Sequence, residues 1–497
     1  MSRLPALLVV GLLAIGVAAG EATRADSPGR TGLQTARVVG AVAVCPDLRQ
    51  DGSDLVTRIS AGVAPTDPAD SASSEFGDLL GQPLRSKGQP ATLPVRRPGE
   101  VAVDLGSSIS GDALVVTARG PLAAGLELEQ VTRGEEGPDR GLAGLRCEAP
   151  RTDSWFLGGA TVVGDAAVLV LVNSDATPAT VDVSVWSSTG PVPGRPGRGL
   201  IVAPRSRLVV PVERLAPDRD LLALRVKAQR GRVSAALRHV RDDGRTPRGV
   251  EWVPQALPPA TEVVVAGFPA GPGRRHLLLA NPGPDETVVS LELTTEQDQA
   301  VPLELEAVHV PRGSTVAVDL TSATAQTPMA VRVASVGGPV LASGYVYDAQ
   351  TGPVREISYA PSTLPLSGPA LLTDLVINRP TESTLLLSAL DQAATVEVTP
   401  VAIVGQVGEL PEPKRVDVPA GRTVALRLST FFPPGATGRL ALDVRTAPGS
   451  GPVHAARYLR ERGSRGPLTT ILGLRGPAPL VPRPLVRRDA GGWTTVR

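Results

Sequence analysis

A spacing of about 107 residues constrains this chain more than any other feature of its sequence. Pro204 in Val202-Ala203-Pro204-Arg205-Ser206, Pro311 in Val310-Pro311-Arg312-Gly313-Ser314 and Pro419 in Val418-Pro419-Ala420-Gly421-Arg422 lie 107 and 108 residues apart. Asn173 and Asn281 are separated by 108. The segments ALRV (223–226), AVRV (330–333) and ALDV (441–444) follow at 107 and 111. A repeat of this length is domain-sized, so each copy can bury its own core, unlike the small units of a solenoid. A fourth, diverged copy stands in front. Val101-Ala102-Val103-Asp104-Leu105 is identical to Val316-Ala317-Val318-Asp319-Leu320, and AVAVCPD at 41–47 resembles LLLANPG at 277–283.

Within a copy the apolar residues alternate. Val289, Leu291 and Leu293 are separated by polar or smaller neighbours, as are Val316, Val318 and Leu320. A period of two places such a set on one face of a strand. Candidate strands in the clearest copy fall near 276–280, 287–294, 303–310, 315–320, 329–336, 339–347 and 353–359. Seven short strands in one copy is the pattern of an immunoglobulin-like sandwich. The 53 glycines and 49 prolines are spread through the chain, as many turns require, and only 3% of residues are aromatic, so the cores must be aliphatic.

The expected fold is therefore all-β, with four tandem immunoglobulin-like β-sandwich domains behind an N-terminal apolar helix. The divisions are a signal peptide or anchor (1–20), a tether (21–36), four sandwiches (37–154, 155–262, 263–370 and 371–475) and a Pro- and Arg-rich tail (476–497), partly ordered at best. The first sandwich is expected to carry an insertion at 50–95, with a short helix at Ser74–Leu80. Pro254 and Pro361, again 107 apart, fall in Pro-rich connections and suggest a rod or gently bent arc of semi-stiff links.

Residues 4–20, LPALLVVGLLAIGVAAG, form an uncharged apolar run preceded by Arg3. Such a run at the N-terminus reads as a secretory signal or membrane anchor. The expected location is extracytoplasmic, secreted or held at the cytoplasmic membrane by residues 4–20. An oxidising compartment lets a disulfide persist. Cys45 closes the first strand of the first copy and Cys147 lies in its last, so the only two cysteines are expected to pair.

Chemistry is sparse. A net charge of +1 gives no general attraction to nucleic acid. His239, His276, His309 and His454 lack metal-ligand spacing, and no nucleophile elbow, Walker loop or dinucleotide fingerprint is present. Asp47, Asp51 and Asp54, and Asp242-Asp243-Gly244, do not have the spacing of a calcium loop and suit turns. Trp155 and Trp252 fall near domain junctions, where a ring can wedge two sandwiches together or offer a sugar a stacking face. No catalytic residue, cofactor or metal is expected.

The apolar N-terminal helix, the V-x-V-C-P-D opening at 42–47, the Asn-Pro strand end and the V-P-x-G-S turn together resemble a family of uncharacterised exported actinobacterial proteins, a domain-of-unknown-function family. The resemblance spans residues 36–475. It implies an envelope-associated protein, often encoded among cell-envelope glycan genes, with no site residues to carry over. One copy has Ala389 where Asn281 would stand, which argues against an essential role for that Asn. The expected function is a non-enzymatic envelope scaffold or interaction module, with an envelope protein or glycan as partner. The rival is a carbohydrate-binding or carbohydrate-active envelope protein with its site in 50–95 or near Trp252.

Overall fold

The alternation read in the sequence is realised side chain by side chain. In the strand Thr287–Thr295, Val289, Leu291 and Leu293 are buried while Val288, Ser290 and Glu292 remain half-exposed. The structure is a computed structural model describing residues 34–46, 54–66, 76–105, 112–242, 244, 246–324, 327–348, 355–377, 381–406, 408–432, 438–477 and 479–483. The apolar run 4–20 and Trp493 lie outside the described residues. No described helix is long and apolar enough to cross a membrane.

The chain is all-β and β-sandwich-like. Its strands between 40 and 473 come from four successive stretches, here called quarters: 40–146, 153–256, 262–363 and 370–473. Each quarter supplies two antiparallel sheets whose apolar faces share one cluster. In the third quarter one sheet runs Gln299–Ala300, Thr287–Thr295, Met329–Ser335, Glu262–Phe268, Ser362–Thr363, with Val308–Val310 also paired to Thr287–Thr295. The other runs Ser314–Asp319, Arg274–Asn281, Leu341–Asp348, Glu356–Ala360. The second quarter repeats both orders. One expected strand is only half formed: Leu303–Leu305 is a 3-10 turn after Pro302, and pairing starts at Val308.

The first quarter corrects the expected insertion. Val56–Val63 is an inner strand of one sheet, and Asp78–Pro83 and Ala91–Thr92 belong to the other, with Ile59, Ala61, Val63, Leu79 and Val95 fully buried. The helix expected at Ser74–Leu80 is replaced, from Asp78 on, by strand. Val56–Val63 occupies the place of Arg274–Asn281, and Gly40–Cys45 that of Glu262–Phe268. The likeness of AVAVC to LLLAN is therefore one of composition, whereas the VAVDL identity is positional: Val101–Ala102 flanks Val56–Val63 as Ser314–Asp319 flanks Arg274–Asn281. Polar residues disguised the strand. Arg58 and Ser60 are on it because they reach another quarter, Arg58 to Asp374 at 3.3 Å and Ser60 to the Thr373 hydroxyl at 2.7 Å.

A rod is not what forms. One sheet of each quarter ends in an edge strand: Gly141–Arg146, Pro247–Val253, Glu356–Ala360 or Gly466–Gly473. Each packs against the next and the last packs against the first, so the contacts within residues 38–479 close into a cycle. The Pro-rich connections are not spacers, because Gln255–Ala256 pairs with Trp155 and Phe156, and Ser362–Thr363 with Val264 and Val265. Their hydrogen bonds fold the chain back beside its own quarter.

The expected disulfide is present. Cys45 and Cys147 are bonded, with Cα atoms 4.7 Å apart, and Val44 N–H donates to Glu148 O at 3.0 Å beside them. The two ends of the first quarter are thereby tied. Separately, Gln34–Arg37 and Leu480–Arg483, assigned by sequence to tether and tail, form an antiparallel two-stranded ribbon.

Candidate functional site

Where the four edge strands meet, small residues let backbones approach and the few polar ones find partners across quarters. Gly144, Glu251 and Ser358, each 107 residues from the next, occupy this contact zone. Glu251 is buried and its Oε1 accepts the N–H groups of Gly144 (2.8 Å) and Trp252 (2.9 Å). Burial pushes its carboxyl well up, and the nearby Glu356 adds to the rise. Ser358 and Thr469 hydroxyls are 2.8 Å apart. Arg140 is also buried. It donates to the carbonyls of Gly466 and Pro467, at 3.1 and 3.2 Å, and lies 3.5 Å from Glu356. A Cβ on Gly144 would sit 2.6 Å from the Thr470 hydroxyl, so only glycine fits between these strands.

The seam between fourth and first quarters gathers ionic groups. Arg58 bridges Asp374 (3.3 Å) and Glu461 (2.9 Å), which also holds Arg133 (2.9 Å). Arg439 pairs with Asp104 and Asp374, and Arg146 with Glu127. Deepest are Arg457 and Glu129, 3.4 Å apart and each 1% exposed. Arg457 satisfies its other donors on Ser383 Oγ and Asp374 O. Burial raises the Glu129 carboxyl despite Arg457 and Arg146. Burial would also raise Glu148, but Arg475 and then Arg151 outweigh it and hold that group below its ordinary value.

Between second and third quarters a buried chain of polar groups runs from Asp165 to Gly159. His239 Nε2–H donates to Asp165 Oδ1 (2.8 Å), Nδ1 is hydrogen-bonded to the Tyr359 hydroxyl (2.8 Å), and that oxygen accepts Gly159 N–H (2.9 Å). Acid, imidazole and hydroxyl in line look like a nucleophile relay. Tyr359 is 2% exposed, however, and burial pushes its hydroxyl well up, which disfavours the phenolate. Both ring nitrogens of His239 and the Tyr359 hydroxyl are hydrogen-bonded within the chain, so it links two quarters.

The remaining residues singled out from sequence are dispersed. His276 lies against the Tyr345 ring, His309 pairs with Glu286 at the surface, and His454 is buried on Thr363. Asn173 and Asn281 do one job twice. Each amide donates to two carbonyls, Thr177 and Val202 in one case, Asp285 and Val310 in the other, and its oxygen accepts Asp175 or Gly283 N–H. Asp242 accepts Gly244 N–H, as an Asp-Gly turn requires. Asp47, Asp51 and Asp243 lie outside the described residues. Trp155 stacks on Trp186 with ring centroids 5.5 Å apart, inside its own quarter. Trp252 is buried between first and second quarters and borders a mainly apolar cavity of about 270 Å³. At 3% exposure it wedges the junction and has no face left for a sugar. Sequence reading missed the arginines, whose roles depend on partners hundreds of residues away; the polar interruptions at Arg58 and Ser60 were the available signal.

No curated protein matches the sequence. The profile of a family described only as of unknown function matches residues 103–429, about two thirds of the chain and parts of all four quarters. The chain belongs to that family of unknown function, DUF5719.

Proposed function

We propose that the protein is an exported, non-enzymatic component of the cell envelope. In this reading four immunoglobulin-like sandwiches, behind an N-terminal helix that directs export or anchors the chain, act as a scaffold or interaction module for an envelope protein or glycan. One observation carries it. The reactive groups that do converge, among them Asp165, His239, Tyr359, Glu129 and Arg457, are buried against one another and join quarters together. The Cys45–Cys147 bond is compatible with an oxidising compartment. Protease added to intact spheroplasts should digest residues 38–479; protection of that region would overturn the export on which the reading depends.

A glycan-binding role is the second reading, favoured by a cavity of about 370 Å³ between third and fourth quarters. Tyr458, Glu296, Glu382 and Arg460 line it, offering a ring face and polar groups of the kind sugars use. Binding to an envelope polysaccharide that Tyr458→Ala abolishes, with the fold intact, would support it over the scaffold.

A further inference from the structure

We propose that the recess between the second and third quarters is an oxyanion site that takes a phosphate monoester of headgroup size. The recess has a volume of about 400 Å³, and Arg241, Arg248, Arg274 and Arg355 all line it. Asp165 and Asp242 are the carboxylates in the lining, and Asp165 lies 3.8 Å from Arg241. Both carboxylates are already engaged, Asp165 by His239 at 2.8 Å and Asp242 by Gly244 N–H at 2.9 Å. Arg274 and Arg355 hold no carboxylate in a salt bridge among the described residues.

Geometry keeps the cations together despite their repulsion. The guanidinium carbons of Arg241 and Arg355 lie 5.3 and 5.8 Å from the centre of one ring, Tyr347. Arg241 is steadied further by donating to the Tyr345 hydroxyl at 3.0 Å. Ring faces attract cations but do not neutralise them. A phosphate dianion placed here would meet Arg274 and Arg355, which no described carboxylate pairs, and planar guanidinium forks match its several oxygens. The volume exceeds what a bare anion needs and suits a sugar- or glycerol-sized body. Val163, fully exposed at the rim, supplies an apolar contact for it. Two quarters contribute, so a ligand held here also clamps them together, next to the Asp165–His239–Tyr359 chain, whose Asp165 end borders the recess. The site does not depend on the scaffold reading, and its failure would leave that reading standing.

The test uses the full chain and a double variant, Arg274→Gln with Arg355→Gln, both side chains lying at the recess and away from the buried seams. Glucose 1-phosphate is titrated calorimetrically at low salt, and vesicles containing phosphatidic acid are tested by flotation. The expected result is saturable binding of at least one phosphate monoester, weakened by added salt and roughly a hundredfold weaker in the double variant, about tenfold for each arginine lost. Binding of the sugar phosphate alone assigns a soluble source, and retention on vesicles alone assigns a lipid headgroup. Absence of binding to either probe at millimolar concentration, or equal binding by the double variant, would overturn the proposal. Unfolding transitions of the two proteins establish that the fold is shared, and the single variant Arg274→Gln, expected to lose about tenfold, replaces the double one if that fails to fold.

Discussion

The seam between first and second quarters and the seam between fourth and first solve the same packing problem by different means. The former is mainly apolar: Val44, Ala143, Val170, Val172, Ala236, Val250 and Trp252 form one cluster across it, with the Glu251–Gly144 hydrogen bond and the Arg238–Asp139 pair as its polar contacts. The latter keeps two apolar patches, one around Val101, Leu371 and Ile403 and another around Leu142, Leu459 and Leu472. Between them it places the arginines and carboxylates centred on Arg58, Asp374, Glu461, Arg457 and Glu129. The difference follows chain connectivity. The first two quarters are joined by a few residues, so their effective concentration is high and mainly apolar burial suffices there, although the equally consecutive second and third quarters add the Asp165–His239–Tyr359 chain. Ser60 and Thr373 are 313 residues apart, and only mutual recognition can set how they meet. Buried charges serve such recognition because a misaligned arrangement leaves them unpaired, a much larger cost than the gain from the correct one.

The largest effect is expected in the apolar seam. Trp252→Ala should destabilise the protein by about 3–5 kcal/mol, almost equally at low and high salt. Urea unfolding at two ionic strengths tests this, and a loss below 1 kcal/mol would remove Trp252 from the seam's core. In the closing seam Arg457→Met should cost on the order of 3 kcal/mol, because Glu129 is left buried with only the more distant Arg146, at 3.8 Å, to compensate it. Adding Glu129→Leu should recover most of that loss. If the second substitution deepened it instead, the pair would be a source of stability and not of alignment.

Acid should weaken the third–fourth seam through His454. Burial lowers its pKa to about 4, against about 6.5 for an exposed histidine, so the unfolded chain binds the extra proton across that window. Stability is then complete above about pH 6.5 and falls as pH drops towards 4, by about 2 kcal/mol at pH 5. His454→Gln should remove this slope, and an unchanged slope would place the titration elsewhere. Smallest is the turn. Asn281→Ala removes three hydrogen bonds and should cost about 1–2 kcal/mol without altering any contact between quarters.

Strand positions in the third quarter were legible because alternation is a local signal: Thr287–Thr295 and Ser314–Asp319 each fall within a residue of their expected bounds. The disulfide was legible from compartment and position together. Val56–Val63 was not, because its outward residues serve a distant seam and so break the alternation that marks a strand facing solvent. Closure of the cycle was hidden for the same reason. Pro254 and Pro361 looked like stiff spacers, yet their neighbours pair within the sheets and turn the chain back. The recess arginines gave no signal at all, since Arg241, Arg274 and Arg355 converge only when two quarters dock.

Closure itself can be tested by a covalent link. The Ser60 and Thr373 hydroxyls are 2.7 Å apart, both residues are buried, and they belong to the first and fourth quarters. Ser60→Cys combined with Thr373→Cys should therefore oxidise spontaneously to a second disulfide, seen by mass spectrometry as a cross-linked peptide pair beside the native Cys45–Cys147 pair. Cysteines at 60 and 373 that stay reduced, while Cys45 and Cys147 are joined, would mean that the fourth quarter does not meet the first and that the quarters form an open chain.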